Sequence, residues 1–221
     1  MAAISPHELE QIYQARLTPY AQYRLKVWDQ MCRFFAKWIP SDATVLDLGC
    51  GHCEFLNTVN CKRKFGMDLN PAAVQFASPE ATVIQQDCSQ PWDVPPESID
   101  VVFTSNFFEH LPDKTSLDRT LGEAYRALAP GGRLIAMGPN VRYVPGLYWD
   151  FFDHYLPLTE RSLTEVMRLK GFKIETCIGR FMPYTMSDGR IYPIALLKIA
   201  LAVPFTWRFI GKQFLVVAVK P

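Results

Sequence analysis

The chain has 221 residues and a formal net charge of +1 at pH 7. A chain of this length suits one domain and buries roughly 70% of the surface that its unfolded form exposes. Its near-zero charge lacks the basic excess of polyanion-binding proteins. We therefore expect one domain over residues 1–221 and no nucleic-acid partner.

The first 42 residues predict a helical N-terminal segment. Ser5-Pro6-His-Glu8 has the hydroxyl, proline and glutamate of a capped helix start. Between Pro19 and Pro40, apolar residues recur at helical spacing. Tyr23 or Arg24 could reach a bound ligand from this segment, or Tyr23 could simply belong to the apolar stripe.

Two features predict a cytoplasmic chain. The N-terminal residues lack the basic stretch and apolar core of a signal peptide. The six cysteines are scattered through predicted helices, loops and strands, which indicates reduced thiols rather than a disulfide framework or a zinc site.

The stretch Val45-Leu-Asp-Leu-Gly-Cys-Gly-His-Cys53 predicts a buried strand that ends in a tight glycine turn. A helix begins at Glu54, so backbone N–H groups point into a crevice. A dinucleotide fingerprint needs a small residue where Glu54 stands, and this carboxylate would face a pyrophosphate. The spacing of Cys50 and Cys53 is also found in thiol–disulfide enzymes, but a single such pair is weak evidence.

Strands and helices then alternate along the chain. We predict strands at 44–48, 64–67, 82–85, 99–104 and 133–138, and helices at 54–60, 71–77 and 115–128. Such alternation predicts an α/β fold, a doubly wound, mostly parallel sheet with helices on both faces. Ligands bind at the carboxyl ends of the strands in these sheets. Gly49, Asp68, Asp87 and Asn106 all fall at predicted strand ends, so we expect them to share one crevice.

The C-terminal part, 141–221, predicts a helix over 159–170, a strand over 173–179 and a last strand over 214–220. An apolar insertion, 181–212, separates those strands. Its segment 191–207 carries one charge, Lys198, and is too short to span a bilayer. Basic residues flank the segment, and Trp207 lies near its end. The pattern is typical of a helix in a membrane interface or a lid over an apolar substrate, and equally of a helix packed on the sheet or in a dimer.

Five segments of the chain, taken in order, resemble class I S-adenosylmethionine-dependent methyltransferases. They are Asp47-Leu-Gly-Cys-Gly51, Phe65-Gly-Met-Asp-Leu-Asn-Pro71, Val83-Ile-Gln-Gln-Asp-Cys88, Ile99-Asp-Val-Val-Phe-Thr-Ser-Asn106 and Leu128-Ala-Pro-Gly-Gly-Arg-Leu-Ile135. The resemblance covers about 44–140, and Phe214–Lys220 is similar to the family's final strand. It implies seven strands and a cofactor core at 43–140. One departure is Cys53, which stands where the family has its third glycine.

The resemblance also implies which residues bind S-adenosylmethionine. Asp68 would hold both ribose hydroxyls, and Asp87 would meet the adenine amino group, although Asp87 could instead cap a turn before Pro91. The glycines would let the backbone approach the amino-acid end of the cofactor. Asp47 would favour the cofactor ammonium group, and Asn106 would line the methyl-donor site or cap a turn. The full implied set is Asp47, Gly49, Cys50, Gly51, Asp68, Leu69, Asp87, Cys88 and Asn106, with no metal ligand.

A hydroxyl acceptor needs a general base, and His154 with Asp153 is the candidate pair. Histidine titrates near neutrality, and an adjacent carboxylate can raise its basicity. His154 could alternatively cap the helix near 157–159. We expect His110 to be structural, because family members with varied substrates carry it. An aromatic cluster, Tyr148, Trp149, Phe151, Phe152 and Tyr155, could line an acceptor pocket or only pack.

Segments in the C-terminal part are similar to a narrower bacterial branch associated with cell-surface polysaccharide or lipid-linked sugar pathways. They include Tyr148-Trp-Asp-Phe-Phe-Asp-His154, Arg180-Phe-Met-Pro-Tyr-Thr185 and Gly211-Lys-Gln-Phe214. The sequence therefore predicts methyl transfer to a small or lipid-linked acceptor, most simply at oxygen. Contact with the inner membrane face through 191–212 is part of this hypothesis. The alternative is a non-catalytic, membrane-associated scaffold that binds the same cofactor.

Overall fold

The computed structural model describes residues 6–184 and 191–221. Ser5 of the predicted helix cap and residues 185–190 of the apolar insertion lie outside the described residues.

The chain forms one seven-stranded sheet with helices packed on it. The strands are β1 (Thr44–Leu48), β2 (Arg63–Asp68), β3 (Ala81–Gln85), β4 (Ile99–Ser105), β5 (Leu128–Pro139), β6 (Lys173–Ile178) and β7 (Gln213–Val219). The helices are α1 (Pro6–Leu17), α2 (Ala21–Phe35), α3 (Glu54–Thr58), α4 (Ala73–Phe76), α5 (Lys114–Ala127), α6 (Glu160–Leu169), α7 (Ile194–Ala202) and α8 (Trp207–Ile210). Short 3-10 helices cover Thr18–Tyr20, Phe108–His110, Leu147–Asp150 and Pro204–Thr206.

The strand order is β3-β2-β1-β4-β5-β7-β6. The pairings from β3 to β5 are parallel, whereas β7 lies antiparallel between β5 and β6. The order reverses at β1, which pairs with both β2 and β4, and a ligand crevice is expected at this point. The predicted mostly parallel, seven-stranded sheet is confirmed.

Alternate residues of the central strands bury into two separate cores, one on each face of the sheet. In β5, Leu134 belongs to the core that α5 and α6 cover, while Ile135 belongs to the core that α2 and α7 cover. This alternation follows from the two-residue period of a strand. Because both faces are covered, the central strands are mostly apolar, and all five residues of β1, including Asp47, are buried.

Several boundaries differ from the sequence prediction. The predicted helices 54–60 and 71–77 are shorter in the structure, since Val59 and Ala77 have extended backbone. Asn57 bonds the backbone of Phe76 and Ser78, which joins the two helix ends. β5 begins at Leu128 rather than at residue 133, because Leu128 already pairs with Ile99 before a bulge that reaches Arg133.

The described part of the apolar insertion forms α7, a 3-10 turn and α8. Its inner face packs into the core that α2 covers, through the buried residues Ala200 and Trp207. Its outer face exposes large apolar side chains, among them Ile191, Phe205 and Phe209, which are 64%, 64% and 70% exposed. Within the described residues, none of the helices has the length and hydropathy that crossing a membrane requires.

Candidate active site

A cavity of about 540 Å³ opens where β1 and β4 end, and residues of α1, α2 and α7 form its opposite wall. We use two names for its parts. The loop end is the part beside Asp47 and the β1–α3 loop, Gly49–Cys53, with Asp68 directly behind the lining. The acceptor end consists of Asn106, Glu109, His110, His154 and Gln213.

The loop end is held by the carboxylate of Asp68. Gly51 N–H donates to Asp68 Oδ2 at 2.8 Å, and Asn70 N–H donates to Asp68 Oδ1 at 2.8 Å. Burial raises the pKa of Asp68, and these two N–H donors partly offset the rise. Asp68 therefore contacts the glycine loop from the end of β2, and its ribose-binding role stays a prediction.

Glycine is required at the start of this loop. Gly49 has φ +68°, and a Cβ there would lie 2.4 Å from the ring of Phe107. Cys53, at the family's third glycine position, also has a left-handed backbone, with φ 59°. A left-handed φ is strained in most non-glycine residues, which accounts for glycine being usual there.

The loop end has a donor set that fits the amino-acid half of S-adenosylmethionine. Asp47, Gly49, Cys50 and Gly51 all line the cavity. Asp47 is buried, and burial followed by the nearby Cys53 and Asp68 raises its pKa well above the usual value. The positive charge of an ammonium group would relieve this cost. Asn106 lines the same cavity, and its Oδ1 is buried with no hydrogen-bond partner in the described residues.

Helix α1 covers one side of the glycine loop through Tyr13. A Cβ on Gly51 would lie 3.7 Å from Tyr13 Cε2, and the Tyr13 ring meets His52 edge-on. His52 stacks on Phe76 with ring centroids 3.9 Å apart. Burial and the adjacent Asp68 raise the pKa of Tyr13, which indicates how close this ring lies to the carboxylate.

Helix α2 contributes the two residues that the sequence singled out. Tyr23 and Arg24 both line the cavity. Arg24 forms a largely buried ion pair with Glu54 at the start of α3. Tyr23 also packs against the core of that face, so it serves both alternatives that the sequence left open.

Four residues of the predicted cofactor set lie outside the cavity lining. Asp68 lies directly behind it, through its bond to Gly51. Asp87 is exposed, and its Oδ1 accepts from Ser89 N and Ser89 Oγ, each at 2.8 Å, in the turn-capping arrangement. Cys88 Sγ lies 3.6 Å from Thr120 Oγ1, and Leu69 is 41% exposed. The cofactor roles of Leu69, Asp87 and Cys88 stay predictions.

The acceptor end centres on Asp153, which contacts a different histidine from the one expected. Its carboxylate pairs with Arg16 at 2.8 Å and with His110 Nδ1 at 3.2 Å. Burial would raise the pKa of Asp153, but the bonds to His110 and Arg16 outweigh it and hold the pKa well below the usual range. Burial lowers the pKa of His110, yet Asp153 and Glu109 together raise it overall. The expectation that Asp153 pairs with His154 is therefore wrong, because the Asp153 carboxylate contacts Arg16 and His110 instead.

His154 is buried beside this pair. Its Nδ1 lies 2.8 Å from the carbonyl oxygen of Tyr148, and burial lowers its pKa to about 4. The alternative that His154 caps the next helix is wrong, because Thr159 caps α6 in a capping box with Ser162. The aromatic cluster divides: Phe151 lines the cavity, whereas Trp149 and Phe152 are exposed.

Two residues of the acceptor end were missed at the level of sequence. Glu109 and Gln213 are buried and line the cavity, and within residues 6–184 and 191–221 the Oε1 of each has no hydrogen-bond partner. Burial raises the pKa of Glu109 to about 7, against an opposing effect of His110. The available signals were weak: Glu109 precedes a histidine already noted, and Gln213 is a polar residue that opens an otherwise apolar strand.

The cysteines of the loop do not form a reactive pair. Cys50 and Cys53 are both free and buried. The hydrogen bond with Cys53 and burial raise the pKa of Cys50 well above the usual value. Thiol–disulfide chemistry needs an accessible thiolate, so this site does not favour it.

Comparison with known proteins agrees with this geometry. Residues 20–176 match a family described as a methyltransferase domain. No curated protein matches the chain.

Solved structures share the fold at low identity. A chain of the complex between the Haloferax volcanii Trm112 methyltransferase activator and a methyltransferase has a TM-score of 0.70 and 19% identity, with 95% of this chain and 97% of that chain covered. A SAM-dependent methyltransferase from Archaeoglobus fulgidus has a TM-score of 0.66 and 19% identity, covering 87% and 92%. One from Thermotoga maritima has a TM-score of 0.69 and 17% identity, covering 96% and 99%.

Proposed function

Because the chain belongs to the methyltransferase domain family, we propose that this S-adenosylmethionine-dependent methyltransferase acts on an oxygen atom of a small or lipid-linked acceptor. The observation that supports this most directly is the composition of the cavity. One continuous space contains the loop end, the acceptor end and an apolar wall from the α7–α8 region, formed by Leu196, Leu197, Ala200 and Ile210.

Methyl transfer is an in-line displacement in which the cofactor supplies a methyl group on a sulfonium and leaves as a neutral thioether. The work of the protein is therefore mostly positioning, which can supply roughly 7–11 kcal/mol. Gly49 and Gly51 let the backbone approach the amino-acid end, and Asp47 offers a negative charge to the ammonium group. Asp68 is proposed to accept from the ribose hydroxyls, since a carboxylate oxygen can accept a further hydrogen bond beside one from a backbone N–H.

We propose that His154 and Asp153 both take part in catalysis, although Asp153 contacts His110 rather than His154. His154 has its Nδ1 against a carbonyl oxygen, so Nε2 bears the lone pair that faces the acceptor end. Asp153 would act through His110 and Arg16, which it holds in place. The general-base role of His154 stays a prediction.

A lipid-linked acceptor is supported by the outer face of the insertion. Leu196 and Ile210 line the cavity and are also 53% and 41% exposed. The apolar wall of the cavity is thus continuous with the apolar outer face, where Lys198 and Arg208 are exposed as well. An apolar face with basic residues suits an anionic membrane surface. The narrower sequence resemblance makes a lipid-linked sugar the first acceptor to test.

Flotation with vesicles tests the membrane contact. We expect the protein to float with vesicles containing anionic lipid, and the double variant Phe205→Ser, Phe209→Ser to lose at least tenfold in partitioning, since each buried phenylalanine contributes about 1.5–3 kcal/mol. Leu169→Ser is the matched control, because Leu169 is 80% exposed on α6, outside the insertion. Equal flotation of the double variant and the control would contradict the membrane contact.

Mass spectrometry tests the reaction itself. The protein is incubated with S-adenosylmethionine carrying a labelled methyl group and a cell-envelope extract, and labelled products are identified. We expect the label on an oxygen of an amphipathic product. Label on nitrogen or carbon would overturn the proposed acceptor atom. Cofactor binding without any labelled product would favour a non-catalytic scaffold.

A further inference from the structure

We propose that Glu109, His110 and His154 bind a divalent transition-metal ion at the wall of the cavity. The ligand atoms that these three side chains offer all lie within 4.8 Å of one another. Atoms bound at about 2.1 Å to one ion lie roughly 3.0–4.2 Å apart, so modest side-chain rotations would close the site. This inference goes beyond the proposed function. The ion could bind whether or not the protein methylates the proposed acceptor.

The unpartnered oxygen of Glu109 is the independent observation that indicates a ligand. Glu109 is 3% exposed, and its Oε1 has no hydrogen-bond partner among the residues that the structure describes. A buried carboxylate oxygen without a partner is costly, and proteins normally satisfy such atoms. Glu109 lines the cavity together with both histidines, so a bound cation would satisfy this oxygen from the cavity side.

Both histidines are oriented as metal ligands usually are. His110 Nδ1 lies 2.9 Å from the carbonyl oxygen of Asp153, and His154 Nδ1 lies 2.8 Å from that of Tyr148. Carbonyl oxygens only accept, so each Nδ1 carries a proton, and in the neutral ring, the form that binds a metal, Nε2 has the lone pair. Metal-binding histidines commonly donate their other ring N–H to a carbonyl or carboxylate, which fixes the tautomer and the ring orientation.

The charges around the site also suit a cation. Asp153 is paired with both Arg16 and His110, whereas Glu109 brings a second carboxyl group that forms no ion pair with Arg16. Two imidazoles and one carboxylate favour zinc, iron, manganese or cobalt over magnesium or calcium. Three protein ligands would leave a coordination position toward the cavity for a ligand oxygen.

The catalytic consequence rests on the proposed function. An acceptor hydroxyl bound to the ion would have a lowered pKa. Its O–H bond breaks with the proton passing to water. The oxygen then forms a bond to the methyl carbon while the sulfur–carbon bond breaks. The electron pair of the broken bond stays on sulfur. The ion would bind the Nε2 lone pair of His154, which a general base needs to accept a proton. A bound ion would therefore replace the general-base role proposed for His154.

Metal titration of the chelator-treated full-length protein, without S-adenosylmethionine, tests the site. We expect about one equivalent of Co²⁺ to bind, with visible absorption typical of nitrogen and oxygen ligands and without the near-ultraviolet charge-transfer band of a thiolate. Glu109→Gln retains the shape of the side chain and should weaken binding at least tenfold, and His154→Ala should do the same. His52→Ala is the control, because His52 lines the same cavity and stacks on Phe76 outside the cluster.

Circular dichroism checks that each variant is folded. Absence of Co²⁺ binding to the unaltered protein, a thiolate spectrum, or equal affinity of a folded Glu109→Gln variant would overturn the metal site. Zn²⁺ competition should displace Co²⁺ at the same stoichiometry. The methylation assay is separate: metal binding without any methylated product would overturn the proposed function and leave the site, whereas product formation unaffected by chelator would exclude the catalytic role of the ion.

Discussion

The two ends of the cavity satisfy their polar groups in opposite ways. At the loop end, both oxygens of Asp68 accept backbone N–H groups from within the protein. At the acceptor end, Asn106, Glu109 and Gln213 each have a buried side-chain oxygen that accepts no hydrogen bond from the described part of the chain. An unsatisfied buried group costs about 1–3 kcal/mol. The Asp68 carboxylate is therefore satisfied without a ligand, whereas the acceptor end lacks bonds that a ligand would supply.

The largest expected effect is on the stability of the loop end. Gly49→Ala should lower the free energy of unfolding by about 2–4 kcal/mol, because it combines a strained backbone with a clash against Phe107. Gly122→Ala is the control: nothing lies within 4 Å of its added Cβ in α5, so it should be stabilising by roughly 0.5–1 kcal/mol. Urea unfolding measures both. Equal stability of the two variants would break the view that the loop end is rigidly built.

The next effect is on cofactor affinity. Asp68→Ala should weaken S-adenosylmethionine binding by roughly 1.5–3 kcal/mol, because it removes hydrogen bonds to a charged group and releases Gly51 N–H. Asp42→Ala, at an exposed position, should bind as the unaltered protein does. Isothermal titration calorimetry is the measurement. An unchanged affinity of the Asp68→Ala variant for S-adenosylmethionine would contradict the proposal that Asp68 binds the ribose hydroxyls.

The smallest effect sharpens the contrast at the acceptor end. Gln213→Met should change the free energy of unfolding by less than about 1 kcal/mol, because the lost bond from Nε2 to Pro183 is offset by removal of the unpartnered Oε1. The KM for the acceptor, once it is identified, should rise by roughly five- to tenfold, the equivalent of one lost hydrogen bond. Gln86→Met is the matched control, because Gln86 also donates to a proline carbonyl but lies outside the cavity lining. A KM for Gln213→Met no higher than that of the control would show that Gln213 does not bind the acceptor.

The sheet and the loop end were largely predictable from the sequence. Apolar runs, glycines and strand-terminal acids report on local backbone, so β1, its turn and Asp68 were located correctly. The bond between Asp68 and Gly51 follows from the pairing of β1 with β2. Asp87 shows the limit of this approach, because a side chain at a strand end can cap its own turn instead of facing the crevice.

The acceptor end could not be predicted in the same way, because its contacts join distant parts of the chain. Arg16 and Asp153 are 137 residues apart, and no local pattern pairs them. Asp153 is next to His154 in sequence but contacts His110 in space. In α7 nearly every position is apolar, so its sequence carries no stripe that distinguishes the packed face from the exposed one.

The placement of β7 has a consequence for how the molecule is completed during synthesis. This strand fills the gap between β5 and β6, yet it is translated after both of them and after the exposed apolar segment. Until β7 is made, the edges of β5 and β6 that it will cover have free backbone hydrogen-bonding groups. Such open edges promote self-association. Its arrival closes the gap and, in the same event, delivers Gln213 to the cavity. A nascent chain halted before that point would have most of its sheet but an incomplete substrate chamber.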